Sequence, residues 1–354
     1  MDTKKEVTIP RVLHLHFGKD GGAERFFVNL VNALGERGVE QRFIIRPRRS
    51  WRREIEALGP IIENHYRYIS FSSLLLPWRV RRMLRQWQPD AIMAWMTRAA
   101  RLIPDWPGAV KLARIGNFPP HLRHFSRCDA LVGNMPGIRS HCKDLGWTRP
   151  VHTISNFPRE VSPVPVARAA LGTPDDVFLI SGAGRFLPRK GHDLLIRVTA
   201  QIPDAWLWLI GDGQERRTLE KLAHKVGIAD RTRFVGWVEE PIHYVAATDV
   251  FGMPSRYEPL GNVILEAWQA GVPVVATRSE GPSWYMTDSE NGLLVDIDDL
   301  DAFVAAVRRL HNDYGLAETL VAGGRKQLEE TFNKNRIVDQ YLDLFAGNLN
   351  GDEV

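Results

Sequence analysis

The chain has 354 residues, which at ~150 residues per domain allows about two domains. Its 44% hydrophobic, 25% charged and 9% aromatic content excludes disordered, collagen-like and disulfide-scaffold classes. The net charge of +4 conceals an imbalance: residues 1–160 carry 27 Lys and Arg against 14 Asp and Glu (+13), whereas residues 161–354 carry 19 against 28 (−9). A basic half fused to an acidic half implies that the first meets something anionic: phosphorylated lipid, anionic membrane or nucleic acid. Arginine supplies 36 of the 46 basic residues. A GC-rich genome accounts for arginine over lysine but not for the imbalance between halves. Cys128 and Cys142 are too few to staple this length and read as free thiols in a reducing compartment. No run approaches the ~18 apolar residues of a membrane span, and MDTKKEVTIPRVLHLHFG holds no apolar signal segment. The expectation is a soluble cytoplasmic protein.

VLHLHF (12–17) reads as a short buried strand, after which GKDGGAERF turns into the helix FFVNLVNALGERG, closed by Gly38. RFII (42–45) is a second strand. LLLPWRVRRMLRQW (74–87) is a helix with Leu76, Val80, Met83 and Trp87 on one stripe and arginines opposite. DAIMAW, VKLARI and DALVGN follow as strands. FPREVSPVPVAR (157–168) brings three prolines and no apolar period, which marks a linker. Beyond it the alternation restarts with VFLISGAGR, GHDLLIRVTAQI, WLWLIGDG, RRTLEKLAHKVG, RFVGWV, VFGMPS, NVILEAWQAG, PVVATR and GLLV. This order predicts an α/β protein of two tandem Rossmann-like, doubly wound domains, residues 1–160 and 161–330, facing across a cleft. A last helix in 331–354 is expected to pack back on the first domain. Strand C-termini and helix N-termini of both sheets would meet at that cleft, the natural site.

Three stretches carry chemistry. In PSRYEPLGNVILEAWQAGVPVVATRSEG (254–281) a turn through Glu258, Pro259, Leu260 and Gly261 leads into a helix from about Asn262. First-turn amides lack intrahelical partners and carry the positive end of the helix dipole, so they form an anion site. Gly261 lets a phosphate approach the backbone. Glu258 lies just before the helix and Glu266 one turn past Asn262. Two carboxylates around an anion-binding cluster suit a ligand that joins phosphate to hydroxyl-bearing rings; the bland alternative is a surface helix with two solvated acids. In SGAGRFLPRKGHDLLI (181–196) a strand ends in Gly182 and Gly184, and Arg185 and Lys190 precede a helix. Two such cations can hold a diphosphate and stabilise it as it leaves, or they are ordinary solvated cations of a loop. In GKDGGAERF (18–26), Gly21 and Gly22 permit close backbone approach or simply make a tight turn. Their spacing is not that of a dinucleotide fingerprint.

With these stretches in order along nearly the whole chain, the sequence resembles the retaining sugar-nucleotide glycosyltransferases of the GT-B fold, in the large family usually numbered 4. GGAERFFVNLVNALGERG, QPDAIMAW, CDALVGN, HTISNF, GAGRFLPRKGHDLLI, LIGDG, RFVGWV and SRYEPLGNVILEAWQAGVPVVAT carry the resemblance. ARIGNF, RHFSRCDALVGNMPGI and ISNF are most similar to bacterial members acting on lipopolysaccharide core or related envelope glycans. The resemblance implies that Glu266 binds the nucleotide ribose, that Glu258 contacts the donor sugar, and that the amides of Leu260, Gly261, Asn262 and Val263 hold the diphosphate or sugar. It makes Arg185 and Lys190 the phosphate-binding cations and puts Gly236, Trp237 and Val238 in the base-binding loop. Gly21 and Gly22 match the loop that closes over donor and acceptor. The donor is then a UDP- or GDP-type sugar, and no metal or other cofactor is required.

Many members carry a histidine after the strand matching VKLARI. This chain reads Arg114, Ile115, Gly116, Asn117, Phe118 there, with His121 and His124 as candidates or as surface-helix residues. ISNF replaces the usual Asn-Gly after the linker strand. Asp296 and Asp298 have metal-ligand spacing but directly precede a helix, where acids cap. His14 and His16 share one face of the first strand, lining a cleft or the core. RPRRSWRREIEALG (46–59) and PWRVRRMLRQWQ (77–88) interleave tryptophan with arginine, and residues 42–88 hold 11 basic and 3 acidic residues. That pattern suits an anionic membrane surface, or a plain solvated basic face. The expected partners are a nucleotide-sugar donor, a lipid-linked or lipopolysaccharide-type acceptor and the inner face of the inner membrane, with no nucleic acid. A GT-B-fold sugar-nucleotide epimerase and a non-catalytic anionic-surface or nucleic-acid binder are the rival readings.

Overall fold

The computed structural model describes residues 9–19, 21–65 and 71–350, with the backbone alone for 71–75. The first eight residues and Asp20, which belong to stretches read above, lie outside the described residues. The chain divides into two units, residues 1–157 with 334–354 and residues 158–333.

The first unit runs β1 (Arg11–His16), α1 (Gly22–Glu36), β2 (Glu40–Ile45), β3 (Ile61–Glu63), α2 (Phe71–Trp87), β4 (Ala91–Trp95), α3 (Met96–Ala100), β5 (Val110–Ile115), β6 (Ala130–Gly133), α4 (Pro136–Asp144) and β7 (Val151–Thr153). Its seven strands are parallel, in the order β3-β2-β1-β4-β5-β6-β7. Helices cover both faces of such a sheet, which is why β1 and β4 are apolar without alternation and buried throughout their inner residues. On α2, Leu76, Val80, Met83 and Trp87 are buried, as the 3.6-residue period requires. Edge strands β3 and β7 are three residues each, too short for a period to show in sequence.

The second unit runs β8 (Phe178–Ala183), α5 (His192–Ala200), β9 (Ala205–Ile210), α6 (Arg216–Lys225), β10 (Thr232–Gly236), α7 (Pro241–Val245), β11 (Val250–Met253), α8 (Asn262–Gln269), β12 (Val274–Thr277), α9 (Glu280–Tyr285), β13 (Leu293–Val295), α10 (Leu300–Asn312) and α11 (Tyr314–Thr331). Six parallel strands lie in the order β10-β9-β8-β11-β12-β13. Each unit is therefore a doubly wound Rossmann-like sheet. The strand order reverses between β1 and β4 in one and between β8 and β11 in the other, the place where such sheets seat ligands.

The final helix α12 (Lys334–Phe345) belongs to the first unit. Ile337, Val338, Tyr341, Leu344 and Phe345 join the core of Val12, Phe26 and Val31. Burial of each apolar side chain contributes about 1.5–3 kcal/mol relative to exposure. Tyr341 also accepts from Arg114 Nε at 2.9 Å. His14 is wholly buried, donating from Nε2 to Gln41 Oε1 (3.1 Å) and accepting at Nδ1 from Trp95 Nε1 (3.3 Å). Desolvation lowers its pKa to about 3, so it is a neutral, hydrogen-bonded core residue. His16 beside it is equally buried and equally neutral. Cys128 and Cys142 are free, buried thiols, raised by burial to about 12 and about 11 and therefore unreactive.

Candidate active site

In the second unit, β8 ends at Ala183, and Gly184 follows with φ +135°. A Cβ on Gly211 would stand 2.1 Å from the Gly184 carbonyl, and Gly211 N donates to Gly236 O at 2.8 Å. Three glycines thus expose bare backbone across the ends of β8, β9 and β10. Lys190 closes the 3₁₀ turn Pro188–Lys190, and its Nζ donates to Glu258 Oε2. Their side chains are only 18% and 12% exposed, so the pair is held out of bulk water. The turn lies against Gly184, where an added Cβ would meet Lys190 Cε at 3.9 Å.

Beyond β11, Gly261 takes φ +88° and α8 begins at Asn262. An L residue disfavours that conformation, so glycine is what allows the chain to swing sharply into the helix. The turn before it is braced from behind by α9. Tyr285 Oη donates to Leu260 O at 2.7 Å, Gly281 N donates to Glu258 O at 2.9 Å, and Glu258 N donates to Glu280 Oε2 at 3.1 Å. Burial, with the charge of Glu258 second, pushes the Tyr285 phenol well above its ordinary pKa, so this donor keeps its proton. Leu260 and Gly261 are buried, Asn262 and Val263 half-buried, and Glu266 stands half-buried one helical turn further along α8. Lys190, Glu258, Gly184, Gly261 and the opening of α8 therefore gather at the β8/β11 switch point, with Gly236 two strands away at the end of β10. A lysine, backbone amides and the positive end of a helix are the groups that favour an anion, and Glu258 already accepts from Lys190.

Other predicted residues sit differently. Arg185 leaves the same strand end with an exposed side chain. Trp237 is 72% exposed next to Gly236, while Val238 packs against the α8 core. Gly21 and Gly22 are exposed at the start of α1 in the first unit. Gly21 is extended (φ 162°), and Gly22 opens α1. At Gly18 an added Cβ would lie 1.9 Å from Glu24 Oε1. Trp51 Nε1 donates to Lys19 O at 3.0 Å and Arg49 Nη1 to Gly18 O at 3.3 Å, tying that loop down. Trp51, read as half of a membrane-facing pattern, is instead a buried core residue, as is Trp87. Only Trp78, 60% exposed, stays among the exposed Arg79, Arg81, Arg82 and Arg85 of α2.

His124 lies in a 3₁₀ turn (Arg123–Phe125) rather than on a surface helix, and its ring meets that of His121 edge-on at 4.7 Å. Asp296 pairs with Arg278 (3.4 Å) and Asp298 with Arg256 (2.8 Å). Capping of α10 falls to Asp299, which accepts from Ala302 N at 2.9 Å. Among the described residues no three His, Cys, Asp or Glu side chains are grouped to hold a metal ion. Glu280 and Tyr285, the braces of the Glu258 turn, were not singled out by sequence, because nothing local marks a residue that bonds a backbone amide 22 positions away or a carbonyl 25 positions away.

A family model described as glycosyl transferases group 1 matches residues 164–327. The chain is 50% identical over 336 residues to the lipopolysaccharide core biosynthesis glycosyltransferase LpsE of Rhizobium meliloti, covering 95% of this chain and 99% of that protein. It is 48% identical to LpsD of the same organism, named likewise, with 95% and 98% covered. Among solved structures it resembles Anabaena HepE in complex with UDP at a TM-score of 0.82 and 20% identity, covering 95% of this chain and all of that one.

Proposed function

The chain belongs to the group 1 glycosyltransferases, and from that premise we propose that it moves a hexose-type sugar from a UDP- or GDP-type donor to a lipopolysaccharide-core acceptor, with retention at the anomeric carbon. The single observation that carries this is the seat at the β8/β11 switch point, where Lys190, Glu258 and the opening of α8 converge. The acceptor class follows the two Rhizobium relatives, which match along 95% of this chain.

In this mechanism Lys190, Arg185 and the amides of Leu260, Gly261, Asn262 and Val263 hold the diphosphate. Glu266 takes the ribose, Glu258 accepts from sugar hydroxyls, and the backbone of Gly236, Trp237 and Val238 borders the base. The bond from the anomeric carbon to the phosphate oxygen breaks with both electrons on oxygen. That oxygen takes the acceptor hydroxyl's proton while the new bond forms on the same face. Charge grows on the leaving phosphate as it departs, so fixed cations and helix amides favour the transition state over the bound donor. Lysine, arginine and amides meet that charge without a metal ion. Gly21 and Gly22, in the first unit, belong to the loop that closes over donor and acceptor.

A thermal-shift panel of UDP-, GDP- and ADP-sugars tests the donor. One nucleotide class is expected to raise the melting temperature, since a ligand at 100 times its Kd adds about 2.7 kcal/mol. Donor turnover should require a core oligosaccharide. An epimer formed from donor alone would replace transferase chemistry with epimerisation, and salt-sensitive oligonucleotide binding without any nucleotide shift would replace it with a binding role.

The exposed face of α2, with Trp78, Arg79, Arg81, Arg82 and Arg85, supports a peripheral seat on the anionic inner face of the inner membrane. No helix among the described residues is long and apolar enough to cross a membrane. The protein should sediment with phosphatidylglycerol vesicles at low salt and be released as salt screens the attraction. Equal, salt-insensitive partitioning to neutral vesicles would remove this part of the proposal.

A further inference from the structure

Arg256 lies two residues before Glu258 and engages three other segments through all three of its guanidinium nitrogens. Nη1 donates to Pro188 O (2.7 Å) and Asp193 Oδ1 (2.9 Å), Nη2 to Asp193 Oδ2 (2.9 Å), and Nε to Asp298 Oδ1 and Oδ2 (2.8 and 3.0 Å). Its own backbone N donates to Arg189 O at 2.8 Å. The turn that presents Lys190 is thereby gripped on both sides, at Pro188 and Arg189 before it and at Asp193, in the first turn of α5, after it. Asp298 holds φ +63°, a left-handed conformation that few non-glycine residues adopt, and from there its carboxylate meets Nε. Burial opposes ionisation of Asp193, yet the hydrogen bonds and charge of Arg256 carry its carboxyl below the ordinary range. The fork therefore stays charged and bidentate at physiological pH.

We propose that Arg256 is a positioning residue: it fixes the turn Pro188–Lys190 against the Glu258 segment, so that the Lys190 ammonium is already placed where diphosphate charge develops. This rests on Lys190 being the diphosphate ligand. Lysine cannot take over, because a single ammonium has no planar fork with which to span Asp193, Pro188 and Asp298 at once. A displacement of about 1 Å at a charge-stabilising group costs up to ~10²-fold in rate.

A double-mutant cycle tests the coupling. Arg256→Lys should lower kcat by about 10- to 100-fold, with donor KM changed less than about threefold. In a Lys190→Ala background the same substitution should cost less than about threefold more, because the group it positions is gone. Asp298→Ala, which removes one arm at an exposed carboxylate, should show the same pattern with a smaller loss, and it stands in should Arg256→Lys not fold. Losses that multiply in the Lys190→Ala background, or an Arg256→Lys chain retaining at least half its kcat, overturn the positioning role alone. A Lys190→Ala chain with parental turnover overturns the diphosphate reading of Lys190 and the positioning role with it.

Discussion

Lys190→Ala is expected to slow sugar transfer at least ~10²-fold while the chain keeps a cooperative melting transition. Lys190 is a cation with a fixed address: it closes a 3₁₀ turn, sits 18% exposed and is already oriented by Glu258. An ammonium so arranged needs no reorganisation when the leaving phosphate gains charge, and its value is greater away from bulk water. Its removal leaves Glu258 without its cationic partner, which costs some stability. Glu258 still keeps its backbone bonds to Glu280 and Gly281, so the turn retains its bracing. The comparison to make is kcat and donor KM beside a melting curve. Loss of activity in step with loss of the folded transition would show a structural residue, and parental turnover would take Lys190 out of the site.

Gly191→Ala should be among the most damaging single methyl additions in the second unit. Gly191 has φ +67°, which costs an L residue about 1–2 kcal/mol, and its new Cβ would stand 2.0 Å from the Pro254 carbonyl oxygen and 2.9 Å from the carbon. Both neighbours are backbone, so relief requires moving the Lys190 turn away from the segment leading to Glu258. A loss of roughly 3 kcal/mol or more in unfolding free energy is expected, together with a fall in transfer rate. Gly227→Ala supplies the control. It has φ +76° with nothing within 4 Å of the added carbon, so it bears the conformational cost alone and leaves transfer unchanged. Urea midpoints for the two variants separate strain from collision; equal losses would mean that close approach at Pro254 is not what holds these segments together.

The large features of this protein are legible because they are repetitive. A buried parallel strand followed by an amphipathic helix leaves the same signal each time, and VLHLHF, AIMAW, WLWLI and PVVAT are each recovered within about a residue. Glu258, Gly261 and Asn262 are also readable, because a glycine ahead of a helix with an acid beside it is a local arrangement. Misreadings occur where side-chain direction decides. Trp51 shares the arginine-rich pattern of Trp78, but packing turns it inward, whereas the inward turn of Trp87 already follows from the helical period of α2. Of the acids ahead of α10, Asp299 alone has the backbone geometry of a cap, and its neighbours Asp296 and Asp298 turn to arginines.

By itself, then, the amino-acid order determined the alternation, the parallel sheets and the glycine-bearing turns ahead of α5 and α8, since hydrophobic period, glycine conformation and helix polarity act over a few residues. Only the folded chain decided what holds those turns in place: Arg256 on Asp193 and Asp298, Tyr285 on Leu260 and Glu280 on Glu258. These contacts join residues 22 to 63 positions apart, and no local preference in either segment announces the other. Closing such loops becomes favourable only once the sheet has brought the segments together.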